Sequence, residues 1–341
     1  MLAYHMQNFS GYSVQYSPFF DNKLAVASGA NYGLVGNGKL FILTIQPSGQ
    51  IVPSNAFLTR DGLFDLSWNE LNENQVLVAQ GDGTLRLFDI NLQKYPVAIF
   101  QEHKREVYSC NWNLVNKQNF VSSSWDGTCK IWSPVRKQSL LTWQPVPNTA
   151  KTNTNRSCVY QVEFSPHDPN LILSCSGTSH ISLKDLRQPG NHVLSFIGHH
   201  GMESLTVDFN KYRPHIFCSG GADKLIRIWD MRSIKKNPRF QPMSINELTG
   251  HELAIKKVSW SPHLDDVLLS VSYDMTCRVW NDIRAHNIAV TNAVDPNGGC
   301  RKLFNKHTEF VTGCDWSLWG SPGFVSTTGW DGNVFIWNAL R

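Results

Sequence analysis

Long apolar runs are missing from this 341-residue chain, and no segment approaches the ~18 consecutive apolar residues of a membrane-spanning helix. The opening residues, MLAYHMQNFSGYS, lack the basic and apolar regions of a secretory signal. The eight cysteines include no Cys-x-x-Cys pair. These absences predict a soluble protein of the cytosol or nucleus, in which the cysteines are small buried residues rather than disulfide partners.

A large charge of one sign is also missing. The 31 basic and 27 acidic residues leave a formal charge of only +4, too small by itself to predict a nucleic-acid partner. The sequence has no phosphate loop, no paired catalytic acids and no metal-ligand cluster, since His199-His200 lacks a third ligand at metal spacing. We therefore predict no enzyme activity, no cofactor and no metal.

What the chain does contain is a repeated unit, best seen between His103 and Trp143. Four short apolar runs follow one another there, and Trp125-Asp126-Gly127 forms a tight turn between the second and third. Glycine suits such a turn because it adopts positive φ without steric cost. The alternating β-branched and aromatic residues indicate strands, so the unit predicts a four-stranded antiparallel sheet.

The same unit recurs along the chain with fixed internal spacing. Asp126 precedes Trp132 by six residues, and the step returns in Asp82–Phe88, Asp223–Trp229, Asp274–Trp280 and Asp331–Trp337. Two degenerate copies place Leu43 and Lys184 at the closing position. Seven units near the period of about 40–45 residues that WD40 repeats show predict an all-β fold, a seven-bladed WD40 β-propeller in one domain.

Four units share a further set of polar residues. A Ser or Thr lies four residues before the Asp, and a His lies 23 or 24 before it; the predicted pairs are Ser122 with His103, Ser219 with His200, Ser270 with His251, and Thr327 with His307. Such a set can satisfy its own buried polar atoms. Because it recurs, we interpret Ser122, His103 and Asp126 as structural rather than as a catalytic triad.

The spacing also predicts the limits of the blades. They are 9–58, 64–99, 103–143, 159–196, 205–239, 255–290 and 310–341. The seventh unit stops after its third strand, and an open ring would expose sheet edges. We therefore expect residues 2–7 to supply the outer strand of the last blade.

Several phrases are more specific than the repeat itself. They begin at Tyr16 (YSPFF), Asn31 (NYGLVGNGKL), Asp61 (DGLFDLSW), Glu106 (EVYS) and Ser272 (SYDMTCRVW). In these phrases the chain resembles the fungal members of the peroxin-7 family, the cytosolic receptors for the type 2 peroxisomal targeting signal. The resemblance covers nearly the whole sequence and is weakest at 144–155 and 285–303.

The resemblance implies a function and partners. The ligand would be an N-terminal signal with an arginine, spaced aliphatic residues and a histidine or glutamine, bound as an amphipathic helix. Cargo proteins such as thiolase, a co-receptor peroxin and the peroxisomal docking complex would be the partners, with no nucleic acid and no membrane insertion. The protein would be cytoplasmic and would shuttle to the peroxisome.

The repeat predicts where such a helix binds. In a propeller, the loops that lead into the innermost strands and the tight turns share one face, and aromatic residues recur there with acids beside them. The candidate signal-binding residues are Asp61, Phe64, Glu106, Tyr108, Trp125, Tyr160, Glu203, Tyr273, Glu309 and Trp330. An amphipathic helix needs an apolar groove and acids for its basic residues. The alternative is that the aromatics pack around the axial channel and the acids are ordinary loop residues.

A second function stays open at this stage. WD40 substrate receptors of cullin–RING ubiquitin ligases often carry Trp-Asp-x-Arg after the third strand of a blade, and Trp229-Asp230-Met231-Arg232 fits that pattern. The motif is short and occurs in ordinary blades. Co-purification of a cullin adaptor without peroxins would favour this alternative.

Overall fold

The computed structural model describes residues 1–146, 157–188, 193–236, 242–282 and 299–341. Within these ranges the chain forms seven four-stranded antiparallel sheets. Each sheet is one blade, and successive blades lie side by side around an axis. The predicted seven-bladed propeller is confirmed.

The strands follow one another in chain order. The first is β1 (Leu2–His5). Blade one contains β2 (Ser10–Tyr16), β3 (Lys23–Gly29), β4 (Gly38–Ile45) and β5 (Ile51–Thr59), with a short 3-10 helix at Asn31–Gly33. Blade two contains β6 (Leu63–Trp68), β7 (Gln75–Gln80), β8 (Thr84–Asp89) and β9 (Ala98–Gln101). Blade three contains β10 (Val107–Trp112), β11 (Phe120–Ser124), β12 (Cys129–Trp132) and β13 (Leu141–Trp143).

The second half repeats the pattern. Blade four contains β14 (Val159–Phe164), β15 (Leu171–Ser176), β16 (His180–Asp185) and β17 (Leu194–Ile197). Blade five contains β18 (Ser204–Phe209), β19 (Ile216–Gly221), β20 (Ile226–Asp230), helix α1 (Met231–Lys236) and β21 (Asn246–Leu248). Blade six contains β22 (Ile255–Trp260), β23 (Val267–Ser272), β24 (Cys277–Asn281) and β25 (Cys300–Phe304). Blade seven contains β26 (Val311–Trp316), β27 (Phe324–Gly329) and β28 (Asn333–Asn338).

Strand β1 completes blade seven, as predicted. It pairs antiparallel with β28, with Leu2 opposite Ile336 and His5 opposite Asn333. The backbone N–H of Met6 donates to the carbonyl of Gly332 at 2.8 Å, and the Met6 side chain is fully buried. The two ends of the described chain therefore meet in one sheet.

Two predicted blade limits are too early. Blade five was expected to end at 239 and blade six at 290, but their outer strands are β21 and β25. In both blades the connection from the third to the fourth strand is longer than the repeat period allows for. Residues 237–241 and 283–298 of these connections lie outside the described residues.

The core is divided among the gaps between blades. Within the described residues, seven apolar clusters each fill the space between two neighbouring sheets. The cluster between blades seven and one joins Met6 and Ile336 to Val14 and Phe41. Polar side chains of the innermost strands add bonds between blades; for example, the backbone N–H of Phe164 donates to Asn111 Oδ1 at 3.0 Å.

The repeated polar residues form the expected structural sets. In blade three, His103 Nδ1 lies 3.0 Å from Asp126 Oδ2, its Nε2 lies 2.8 Å from Ser122 Oγ, and Trp132 Nε1 donates to that same hydroxyl at 2.8 Å. Burial opposes ionisation of Asp126, but hydrogen bonds from His103 and Thr128 outweigh it and hold the pKa well below its usual value. Blades six and seven repeat this arrangement around His251 and His307.

The histidine predicted for blade five is wrong. His199, not His200, bridges Asp223 and Ser219, at 2.8 Å to each. His199 lies five residues before the first residue of its innermost strand, whereas His103 lies four before Val107. The additional residue is accommodated in a turn where His200 and Gly201 have φ of 48° and 84°, and His200 points to solvent.

This correction predicts a large loss of stability for one substitution and almost none for the adjacent one. We expect His199→Asn to lower the free energy of unfolding by about 1–3 kcal/mol, because Asp223 and Ser219 would lose a shared buried partner. His200→Asn should change it by less than about 0.5 kcal/mol, since the site is exposed and Asn tolerates positive φ. Urea unfolding of both variants measures the difference, and equal losses would contradict the assignment.

Candidate peptide-binding face

The candidate site lies where the seven innermost strands begin, around one mouth of the axial channel. In every blade the pairing of the innermost strand with its neighbour shifts register by one residue at this point. A β-bulge of this kind leaves one residue unpaired and redirects its side chain. The bulged residues are Tyr12, Phe64, Tyr108, Tyr160, Leu205, Lys256 and Thr312, and all seven line the upper part of the channel.

Four of these residues form a continuous aromatic arc across blades one to four. The ring centroids of Tyr12 and Phe64 are 5.1 Å apart, those of Phe64 and Tyr108 are 5.2 Å apart, and those of Tyr108 and Tyr160 are 5.6 Å apart. These distances are typical of favourable aromatic pairs. The fixed position of the bulge explains why residues far apart in sequence lie next to each other here.

Aromatic residues of the tight turns extend the arc. Trp125 stacks on Tyr108 at 5.3 Å, and Trp330 lies 6.2 Å from Tyr12. The backbone N–H of Trp125 donates to the carbonyl of Glu106 at 3.0 Å, which fixes the turn beside the loop that precedes β10. The Trp125 Nε1–H is buried and has no acceptor among the described residues.

Phe310 connects the remaining predicted aromatics. Its ring lies 4.8 Å from Tyr273 and 5.1 Å from Trp330. The aromatic arc, as we define it, therefore contains Tyr160, Trp125, Tyr108, Phe64, Tyr12, Trp330, Phe310 and Tyr273. It surrounds the channel mouth except at blade five, where the bulged residue is Leu205.

Three of the four predicted acids border one side of this arc. Burial raises the pKa of Asp61, and the nearby charges of Asp82 and Glu106 raise it further. Glu106 is half-buried, with Oε2 lying 3.4 Å from Nε of Arg105. The exposed carboxylate of Glu203 accepts a hydrogen bond from the Tyr160 hydroxyl at 2.9 Å. These acids follow the arc from blade two to blade five.

Glu309 is not brought into contact with the other acids. It is exposed in the loop before β26, and within the described residues no hydrogen bond or ion pair joins its side chain to the rest of the face. It shares the face with Phe310, its neighbour in sequence, but it lies across the channel mouth from Glu106.

The sequence interpretation missed two cations on this face. Lys256 Nζ lies 4.3 Å from the Tyr108 ring centroid, and burial lowers the pKa of this lysine. Arg105 lies over Trp125 with its guanidinium carbon 5.8 Å from the ring centroid. Lys256 occupies the same bulge position as Tyr108, four residues before Trp260, so the rule that found the tyrosines could have found it.

A loop in blade one was also missed as part of the face. Where other blades have a tight turn, residues 31–37 form a longer loop, closed by a 2.8 Å hydrogen bond from the Ala30 N–H to the Asn37 carbonyl. Tyr32 lies 5.5 Å from Trp330 and its carbonyl accepts a hydrogen bond from the Tyr12 hydroxyl. Leu34 and Val35 at the tip are 82% and 73% exposed, so they offer apolar surface beside the arc.

In the described part of the chain no group of three or more His, Cys, Asp or Glu residues is arranged to hold a metal. None of its helices is long and apolar enough to cross a membrane. Arg232 of the Trp229–Arg232 motif pairs with Asp230 at 2.6 Å, the same local turn that Arg187 makes with Asp185 at 2.8 Å.

Comparison with known proteins identifies the family. Models of the WD domain, G-beta repeat, match residues 94–133 and 298–338, and a model described as EIPR1 beta-propeller matches 140–280. The chain is 57% identical to the peroxisomal targeting signal 2 receptor of Saccharomyces cerevisiae over the full length of both. This chain belongs to the family of peroxisomal targeting signal 2 receptors. It is 47% identical to the receptor of the same name in Komagataella phaffii over the full length of both. It is 34% identical to the Homo sapiens receptor over 89% of this chain and 84% of the human one.

Proposed function

We propose that this protein is a peroxisomal import receptor that binds the type 2 targeting signal on the aromatic arc. The proposal is supported by one observation above all: four of the seven β-bulges, with the adjoining turns, direct an almost continuous aromatic surface to the channel mouth, and Asp61, Glu106 and Glu203 lie along one side of it. A surface of this kind complements an amphipathic helix that carries an arginine. The protein acts by binding rather than by catalysis.

The two halves of the site have different roles. The apolar side of the signal helix packs on Tyr108, Trp125 and Tyr160, where rigid aromatic rings provide contact area with little loss of side-chain freedom. The arginine of the signal lies against Asp61 and Glu106. Those two carboxylates repel each other in the free receptor, so a ligand cation between them relieves that repulsion.

Two cations of the receptor affect how the signal helix binds. Lys256 places a positive charge near the centre of the face, which disfavours a ligand arginine over the channel and directs it to the acidic border. Arg105 competes with the ligand for Glu106 but is about half exposed, so water already screens that pair.

The co-receptor peroxin binds beside the signal, and we place its contact at the tip of the 31–37 loop. Leu34 and Val35 are too exposed to contribute to the core, and they border the arc through Tyr32 and Trp330. With cargo such as thiolase bound, the complex passes from the cytoplasm to the docking complex at the peroxisome, and the receptor then returns. The cullin–RING alternative has no support beyond a local turn.

A direct binding measurement tests this proposal. We expect Tyr108→Ala to weaken a labelled type 2 signal peptide by more than about 30-fold in fluorescence anisotropy, since a truncated central aromatic typically costs about 2 kcal/mol or more. The loss should be the same at low and high salt because the contact is apolar. Tyr95→Ala is the matched control, because Tyr95 is 68% exposed and contacts none of the arc. Equal binding by wild type and Tyr108→Ala would contradict the site.

A further inference from the structure

The opposite mouth of the axial channel opens into a second cavity that the proposed signal site does not use. Its volume is about 230 Å³, against about 30 Å³ for a water molecule in the liquid, so it can hold a long side chain. Its walls come from the far ends of the innermost strands. Two lysines (Lys211 and Lys257) line it, together with five carboxylates: Asp65, Glu70, Glu163, Asp208 and Asp315.

The lysines do not balance the acids. Lys211 is bound to Asp208, with 2.5 Å between Nζ and Oδ1, and Lys257 Nζ lies 4.0 Å from Asp65. In the described residues Glu163 and Asp315 have no ion-pair partner. Each accepts a backbone N–H of the next blade instead, from Phe209 and Tyr16 respectively, both at 2.8 Å. Within the described residues, two carboxyl groups of the cavity are therefore outside ion-pair distance of any cation.

The pKa shifts of these two groups are consistent with the missing ion pairs. Burial raises the pKa of Asp315 to about 6, although the hydrogen bond from Tyr16 and the more distant charge of Lys257 both lower it. Burial and then the charge of Asp208 raise the pKa of Glu163 well above its usual value. A cation brought into the cavity would lower both values, because it favours the ionised carboxylates.

The rim of this cavity is apolar and exposed. Leu114 and Leu318 are 48% and 52% exposed, and both line the mouth together with Pro18 and Pro262. Trp319, next to Leu318, is held in place because its Nε1 donates to the carbonyl of Ser17 in the neighbouring blade at 3.0 Å. This hydrogen bond joins the loop after β26 to blade one.

We propose that this face binds a second protein, through a segment that inserts a lysine or arginine side chain into the cavity and packs apolar neighbours on Leu114, Leu318 and Trp319. Charge complementarity favours this occupant: the cavity has more acids than bases, and an apolar ring around a polar centre is typical of a protein interface. A membrane surface is disfavoured, since anionic lipid headgroups would meet uncompensated carboxylates. The site is distinct from the aromatic arc at the other mouth.

A displayed library of random 12-residue peptides tests the proposal on the full-length protein. Peptides that bind the wild-type protein are kept, and those that also bind the Leu114→Ser/Leu318→Ser double variant are removed. We expect the remaining peptides to share a Lys or Arg flanked by apolar residues. Replacing that basic residue with norleucine should weaken binding by about 30-fold or more, since truncating one partner of a buried charge pair costs about 2 kcal/mol or more.

Two variants separate charge from folding. Asp315→Asn combined with Glu163→Gln keeps an acceptor oxygen for Tyr16 and Phe209, so the blades stay joined while the charge is removed. We expect this variant to retain its melting temperature within a few degrees and to lose more than about tenfold in peptide affinity. Leu303→Ser is the matched surface control: Leu303 is also 48% exposed but lies on outer strand β25, and its loss should not affect binding.

Three outcomes would overturn the proposal. In the first, the selected peptides lack a basic residue. In the second, every peptide that binds wild type also binds the double variant. In the third, the selected peptides bind the Asp315→Asn/Glu163→Gln variant as tightly as wild type. As a further arm, flotation with phosphatidylserine vesicles that depends on Leu318 would assign the face to a membrane surface. Tyr108→Ala should leave binding of the selected peptides intact, so this test is independent of the signal site.

Discussion

Replacing Glu106 with arginine is expected to abolish binding of an arginine-bearing type 2 signal while the propeller still folds. Charge-assisted hydrogen bonds contribute about 1.5–3 kcal/mol, or roughly 10- to 150-fold in affinity, and reversal adds repulsion to that loss. The fold should tolerate the change because the Glu106 side chain is 34% exposed, and its contact with the Trp125 turn is made by the backbone carbonyl. Asp61→Arg should have a similar effect on binding. Anisotropy at low salt measures both.

Exchanging the charges of receptor and peptide tests the same pair more stringently. A signal peptide with its arginine changed to aspartate should regain affinity for the Glu106→Arg receptor, because the pair is restored with opposite polarity. Glu252→Arg is the matched control, since Glu252 is an exposed acid in the equivalent loop of blade six, away from the acidic border. If Asp61, Glu106 and Glu203 could all be reversed without loss of binding, the signal arginine would be recognised elsewhere and the proposed site would be wrong.

Deleting residues 1–7 is expected to destabilise the whole ring. The deletion removes β1 from blade seven, exposes the hydrogen-bonding edge of β28, and takes the fully buried Met6 from the cluster between blades seven and one. Loss of a buried Met side chain alone costs about 2–5 kcal/mol. We expect the melting temperature to fall by more than about 5 °C, or the protein to aggregate through the exposed edge.

Single substitutions show which part of the segment matters. Met6→Ala should account for a large share of the destabilisation, whereas Ala3→Ser should have almost no effect because Ala3 is exposed on β1. Circular dichroism melts of the deletion and both variants measure this. A truncated protein that melts with the wild type would show that β1 does not hold the ring closed.

The sequence alone determined the fold because the repeat is enforced by local chemistry. The tight turns at Asp82, Asp126 and Asp331 each have a Gly after the Asp, at positive φ. Each His–Ser/Thr–Asp–Trp set must satisfy polar atoms that would be costly to bury unpaired. Such requirements recur at fixed spacing, so they could be counted along the chain. The same regularity predicted the aromatic positions, since Tyr12, Phe64, Tyr108 and Tyr160 share one offset from the end of their strands.

The tertiary structure determined several features that the spacing of the repeat could not predict. A single additional residue before β18 moved the bridging role from His200 to His199, and long connections displaced β21 and β25 beyond the expected limits of their blades. Phe310 joins the arc, and Tyr32 borders it, only because closure of the ring brings blades one, six and seven together. The acidic cavity at the far mouth likewise combines Asp65, Glu163 and Asp315, residues from three blades. The spacing of the repeat predicts where a residue lies within its own blade. Which residues meet across the axis depends on how the seven sheets pack into one ring.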